Sequence, residues 1–272
     1  VQAWSAVTII FMASVVAAID RGIFSLVIDP IRHDLRISDV QISLLQGLSF
    51  SILYAVAGIA LGFGIDRYSR RRLLALGILI WSLATALGGL ATNFNEMFAT
   101  RIMVGFGEAV LGPCTASMIA DLFAPGRRGR PVSFCLMGLT AGRGLTVLLT
   151  GFILSRLPDG IPVSVPGFGI LAPWRVTFLV CGAIGFLVFL LILTMREPAQ
   201  RDLRLKGSTG LSMRASFAYF RSRRRVFVPL YLGFAVVSAG YYGITAWDAV
   251  FLIRKFGLSA PATGQALGMA TL

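Results

Sequence analysis

Apolar residues in this chain gather into blocks too long for an ordinary soluble helix. They run over about 4–28, 40–61, 73–91, 97–122, 131–155, 174–195 and 226–252, with an eighth beginning before the chain stops at Leu272. Each of the seven is close to or above the ~20 residues a helix needs to cross a bilayer. The pattern predicts an all-α membrane protein of about seven transmembrane helices plus the start of an eighth. Asp29-Pro30 is expected to end the first, because proline disfavours helix at the residue before it. Ser38 with Gln41 makes a capping box for the second, and Pro113 predicts a kink in the fourth that neighbouring helices can stabilise. Residues 93–96 read as a short polar turn and 125–130 as a compact basic loop. The Pro- and Gly-rich stretch 157–173, with its one acid Asp159, reads as an outer loop. The basic stretch 196–225 reads as a linker carrying a short amphipathic helix on the membrane surface.

Composition agrees. The hydrophobic fraction is 56%, 14% of residues are charged, and mean hydropathy is +0.81. A soluble domain with those values would expose too much apolar surface. Cys114, Cys135 and Cys181 fall inside apolar blocks without ligand spacing and read as small core residues. A single His33, among alternating charges, reads as a solvated loop residue and excludes a helical His pair for metal. No cofactor is implied, and without a Walker loop neither is ATP-driven transport. The first block is too long for a signal peptide, lacks a basic leader and contains Asp20-Arg21. Because the first residue is Val1, the native start is expected upstream.

The net charge of +13 changes the picture through where it sits. The arginines are interleaved with spanning blocks instead of lining one soluble face, which argues against nucleic acid. Sixteen of the 25 Lys and Arg fall in loops on one side: Arg67, Arg70, Arg71, Arg72, Arg127, Arg128, Arg130 and nine between 196 and 225. Six fall on the other side, and Arg21, Arg101 and Arg143 lie within spans. Basic residues concentrate in short cytoplasmic loops, so the N-terminus is expected in the cytoplasm.

One loop is more specific than topology requires. Residues 62–72 read G-F-G-I-D-R-Y-S-R-R-R, and the plain reading is a positive-inside hairpin. With its glycines and Asp66, the segment resembles the loop between the second and third helices of major facilitator superfamily transporters, with Ser69 where glycine is usual. R-I-M-V-G-F-G-E-A at 101–109, I-A-D-L-F at 119–123, W-R-x-x-F at 174–178, R-E-P at 196–198 and W-D-A-V-F-L-I-R-K-F-G-L-S at 247–259 are similar to the spinster-like branch and its bacterial relatives. The resemblance implies an incomplete major facilitator fold. Residues 1–195 would form the N-terminal six-helix bundle, 196–225 a cytoplasmic middle loop, and 226–272 the start of a C-terminal bundle whose remainder is absent. It implies a secondary transporter working by alternating access, proton-coupled, with helices 1, 4 and 7 lining the cavity. The substrate would be a small amphipathic or anionic solute, or a lysolipid or sphingoid lipid, and the complete protein a monomer in the bacterial inner membrane if prokaryotic. A truncated, transport-dead membrane protein or sensor is the alternative. The resemblance also implies an inner-gate network of Gly62, Asp66, Arg67, Arg70, Arg71 and Arg72 meeting Asp121; topology anchoring is the plainer reading.

Ionisable residues within spans are functional candidates because their desolvation has to be offset. Asp20 and Arg21 in span 1, Arg101 and Glu108 in span 4, and Asp248 in span 7 each sit in a helix that opens a three-helix unit, where repeat-built folds place their sites. Arg101, Gly105 and Glu108 share one helix face at i, i+4, i+7. Arg101 and Glu108 are roughly 10 Å apart along the axis, too far for an easy direct pair. Depth suggests that Asp20 pairs with Arg101 and leaves Glu108 to exchange a proton; a static brace between spans 1 and 4 is the alternative. Arg143 stands in T-A-G-R-G-L-T, where relatives carry a small residue, at a cost of at least ~2.5 kcal/mol if unpaired. It is either an anion contact in the cavity or a sign of drift. Asp248, where relatives carry an apolar residue, lies near the outer end of its span.

Overall fold

The computed structural model describes residues 2–65, 68–157, 162–197 and 213–271. Among them, seven helical segments are long and apolar enough to cross a membrane. In chain order the helices are α1 (Gln2–Gly22), α2 (Ile28–Leu35), α3 (Asp39–Gln46), α4 (Leu48–Gly64), α5 (Arg70–Gly88), α6 (Phe94–Glu108), α7 (Leu111–Leu122), α8 (Gly129–Arg156), α9 (Pro173–Thr194), α10 (Met213–Ser222), α11 (Arg224–Phe256) and α12 (Ala260–Thr271). α3 with α4, and α6 with α7, each make one span. The second half of each pair is reached by a local break.

The breaks follow from residue chemistry. Pro113 has no N–H to give the Ala109 carbonyl, and the helix parts at Ala109–Val110, one turn upstream. Pro30 does the opposite of what its neighbour's preference predicts. Span 1 already ends at Gly22, and Pro30 sits in the first turn of α2, where a missing N–H costs nothing. The segment expected as a loop around His33 is therefore helical, ending on Arg36 in the left-handed conformation at φ 54°. His33 is exposed on it. The Ser38–Gln41 capping box is present with both of its bonds.

Residues 163–165 and 169–171 pair as an antiparallel hairpin inside the expected outer loop. Gly167 at φ 82° and Gly169 at φ 79° make its turn, a conformation that side chains resist. Asp159, Arg201, Arg204 and Lys206 lie outside the described residues.

The long helices pack in pairs, α1 along α8, α5 along α9 and α6, α4 along α6, and α12 along α8. Small residues allow the close approaches. A Cβ on Gly107 would lie 2.7 Å from the Gly77 carbonyl, and one on Gly142 would lie 2.6 Å from Ala18 Cβ. Two apolar clusters fill the bundle, one around Val7, Ile10, Trp81 and Met118, the other around Phe24, Ile31, Trp174 and Phe178. Asp20 and Arg101 lie where these clusters meet. Cys114, Cys135 and Cys181 are buried and free.

α11 is the exception to close packing. Only Ala249 and Val250 are buried along it. Its first half stands away from the bundle, leaving Val226, Leu230, Leu232 and Phe234 exposed. A cleft therefore separates α11 from the bundle at the Arg225 end and closes toward Arg254.

Candidate functional site

α1 delivers Asp20 and Arg21 to opposite neighbours. Arg21 Nε donates to Glu108 Oε2 at 2.7 Å, and its guanidinium lies 5.1 and 5.3 Å from the Phe50 and Tyr54 rings. Gly105 explains that seat, because without a Cβ it admits the Phe50 backbone of α4 against α6. Glu108 is fully buried, and Arg21 keeps 29% of its side chain exposed. The arginine is thus the cleft-facing member of the pair.

Arg101 is held differently from expectation. Its Nη1 donates to the main-chain carbonyl of Asp20 at 3.3 Å, and its guanidinium sits 5.0 and 5.5 Å from the Phe24 and Phe178 rings. Neither carboxylate oxygen of Asp20 makes a hydrogen bond. The Thr85 hydroxyl, Glu108, Arg101 and Arg21 are near enough to interact with that carboxylate. The expected pairing is corrected on both counts: Glu108 has a salt-bridge partner, and the acid without one is Asp20. The cause is local. Adjacent residues on a helix point about 100° apart, so Arg21, not Asp20, meets Glu108, and this geometry leaves Arg101 only the backbone of α1.

Arg143 projects from α8 to α11, where it donates to the Tyr241 hydroxyl and lies 4.6 and 5.3 Å from the Tyr241 and Tyr242 rings. Asp248 is half-buried, and its Oδ1 accepts from the Ala249 N–H at 2.6 Å.

The basic loop condenses around a residue that sequence reasoning left without a role. Glu197 accepts from the Ser69 hydroxyl at 2.6 Å, the Arg70 and Arg71 N–H groups at 3.0 and 2.9 Å, and Arg70 Nε at 3.3 Å. A carboxylate there satisfies orphan amides at the start of α5 and meets the positive end of its dipole. Burial pushes the Glu197 carboxyl up, but these hydrogen bonds outweigh it and hold the group below the ordinary glutamate range. Arg70 is buried and also bonds Asp121 and, at 3.1 Å, Ser117. Arg71 donates to the Met195 carbonyl at 3.0 Å. Ser69, standing where glycine is usual, serves as N-cap through its bond from the Arg72 N–H. Gly62 ends in open space and the Arg72 side chain is exposed. Asp66 and Arg67 lie outside the described residues. The R-E-P stretch was the available signal for Glu197, but spacing alone does not show that it returns to α5.

A second unforeseen cluster closes the far end of the cleft. Arg254 of α11 donates to Asp39 at 3.0 Å and also to Asp29, so one guanidinium joins α11 to both α2 and α3. The W-R-x-x-F stretch has a bracing part: Trp174 Nε1 and Arg175 Nε reach Asp34 at 2.9 and 3.1 Å, and Arg175 caps the Gly89 and Ala91 carbonyls. Among the described residues no His, Cys, Asp and Glu cluster suits a metal.

Comparison with known proteins places these features in context. The profile of the Major Facilitator Superfamily matches residues 10–272. An MFS-type efflux pump of Mycolicibacterium smegmatis is 29% identical over 99% of this chain and 59% of its own length. A probable L-galactonate transporter of Escherichia coli is 28% identical over 96% of this chain and 56% of its own. A bacterial homologue of the human lysosomal transporter Spinster, solved inward-facing and unoccupied, superposes with a TM-score of 0.82 at 30% identity, covering 98% of this chain and 59% of that one. The chain thus spans a little over half the length of each of these three proteins.

Proposed function

The chain belongs to the major facilitator superfamily, in its spinster-like branch, and from that premise we propose that it carries the N-terminal half and the beginning of the second half of a proton-coupled secondary transporter. Members of this family are transporters, not enzymes. Residues 1–195 are the first bundle, 196–225 the cytoplasmic connection, and 226–272 the start of the second. The Arg70 end of the bundle is cytoplasmic, since the basic loops converge there. With α11 splayed at that end and latched by Arg254 at the other, the cleft opens inward.

One observation carries the coupling: a buried carboxylate, Asp20, with no hydrogen bond beside a guanidinium that holds only its backbone. A buried charge without hydrogen bonds is costly, and Asp20 is the acid of this layer that accepts none. Proton arrival at Asp20 removes a negative charge from the Asp20–Arg101–Glu108–Arg21 layer and leaves two guanidiniums beside one carboxylate, so that the layer attracts an anion. Arg21, on the cleft side, then has a choice between Glu108 and an anion.

The substrate is a small organic anion or an amphipathic molecule with an anionic head. Two features support this reading: Arg21 and Arg143 toward the cleft, and relatives named for L-galactonate and hexuronate. Reconstitution of the complete transporter into proteoliposomes tests both parts. L-galactonate, a hexuronate and a lysophospholipid are offered with and without an imposed pH gradient. A gradient-driven flux of one of them is expected; flux indifferent to the gradient would remove the coupling assignment.

A further inference from the structure

Arg143 has no place in the proton layer, and its surroundings suggest a use. Its guanidinium makes no ion pair among the described residues; its partner is the Tyr241 hydroxyl, backed by the Tyr241 and Tyr242 rings. A phenol that accepts from arginine still has its own proton to donate. No described residue accepts it. The guanidinium retains further donors in a planar fork that matches carboxylate and phosphate oxygens. Asp248, seven residues beyond Tyr241, is an acid near enough to feel this charge, and its Oδ1 is turned back onto the Ala249 N–H at 2.6 Å. Both tyrosines are half-exposed on the cleft wall. Tyr242 also lies close enough to Arg21 to interact with it, which makes the spot continuous with the proton layer.

We infer that Arg143 and Tyr241 form an oxyanion site whose two donors come from opposite walls of the cleft, the guanidinium from α8 and the phenol O–H from α11. The ligand is a carboxylate or phosphate, carried by a small organic acid or by a lysolipid head. Occupying it ties α11 to the bundle through the ligand. The inference rests on the reading of the cleft as a substrate path, and its test is binding, not transport.

The experiment is calorimetric titration of the purified protein in detergent at fixed pH. The probes are gluconate, a soluble carboxylate, and lysophosphatidic acid, a lipid phosphate; glucose and lysophosphatidylcholine are the controls. Arg143→Gln is expected to weaken binding of one anion at least tenfold without changing its control. A response to gluconate alone assigns the site to organic acids, and a response to lysophosphatidic acid alone assigns it to lipid phosphate. Tyr241→Phe keeps both rings and removes only the O–H, so it separates a donor from a stacking brace; it should weaken the same anion severalfold. Asp248→Asn removes the neighbouring negative charge and should tighten binding. The last two changes, opposite in sign, carry the test should Arg143→Gln elute as aggregate. Equal anion affinity in the parent, Tyr241→Phe and Asp248→Asn would overturn the site, as would a parent that binds neither anion. Arg143-dependent binding without gradient-driven flux would instead keep the site and remove the coupling.

Discussion

The Arg101 guanidinium donates to the main-chain carbonyl of Asp20 at 3.3 Å, while the carboxylate of that same residue makes no hydrogen bond. Losing the acid's charge therefore need not release Arg101 from α1. Asp20→Asn should abolish the response to a pH gradient yet leave thermal stability within about 1 kcal/mol of the parent, because no formed hydrogen bond is lost. Proteoliposome flux and a detergent melting curve read the two halves of this prediction. A variant that still follows the gradient would place the proton elsewhere.

Glu108 behaves in the opposite way because its charge is used. Glu108→Gln strands Arg21 and should cost about 2–3 kcal/mol, below the ~3–5 kcal/mol of a fully buried pair, since Arg21 retains contact with the cleft. Arg21→Met with Glu108→Leu should recover part of that loss. A double-mutant cycle on denaturation midpoints measures the coupling, and additive single costs would contradict the pair.

Much of the architecture was legible in the blocks of apolar residues, since hydrocarbon thickness fixes span length whatever the packing. The Ser38–Gln41 cap and the Pro113 break were equally open to reading, because both depend on residues within one helical turn. The ion pairs were not. Asp20 and Arg21 are neighbours in sequence, and a rotation of about 100° decides which meets Glu108; depth along the axis carries no such information. Glu197 and Arg254 act across 127 and 225 positions on partners that only the fold brings near. The hairpin at 163–171 was hidden by prolines and glycines that also suit an irregular loop.

Sidedness is checked with single cysteines in a background without Cys114, Cys135 and Cys181. Tyr68 and Ser222 are exposed at the basic end, and Ser164 is exposed on the hairpin at the other. Tyr68→Cys and Ser222→Cys should react with an impermeant maleimide only from the cytoplasmic side, and Ser164→Cys only from outside. Reaction of Tyr68→Cys and Ser164→Cys from one side would be incompatible with the seven-span order.

Glu197 gives a pH signature outside the membrane. Its carboxyl is held below the ordinary range by Ser69, the Arg70 and Arg71 amides and the Arg70 guanidinium, against the upward push of burial. A depressed pKa contributes stability that is fully present above the unfolded value, about 4.3, and is lost as pH falls through the lower folded value. The stability difference between parent and Glu197→Gln should therefore be constant above about pH 5 and shrink in more acidic buffer. Denaturation of both proteins across pH 3–7, an interval chosen to bracket that ~4.3 value, decides it. A difference that grows on acidification would have the wrong sign.

Arg254 should matter more for motion than for stability. Its side chain is 37% exposed, and exposed ion pairs contribute about 0.2–1 kcal/mol each. Losing its pairs with Asp29 and Asp39 therefore lowers the melting midpoint only slightly. Yet this one side chain fastens the end of α11 to α2 and α3, and Val250, one turn earlier, is 3% exposed behind it. Opening the cleft at this end requires both carboxylates to let go. Arg254→Gln should thus raise the thiol-labelling rate of Val250→Cys severalfold with little change in melting. Arg254→Lys keeps the charge but cannot span two carboxylates with a planar fork, and should fall between. Equal labelling rates in all three would mean that the buried Val250 contact, not the arginine, holds that end shut.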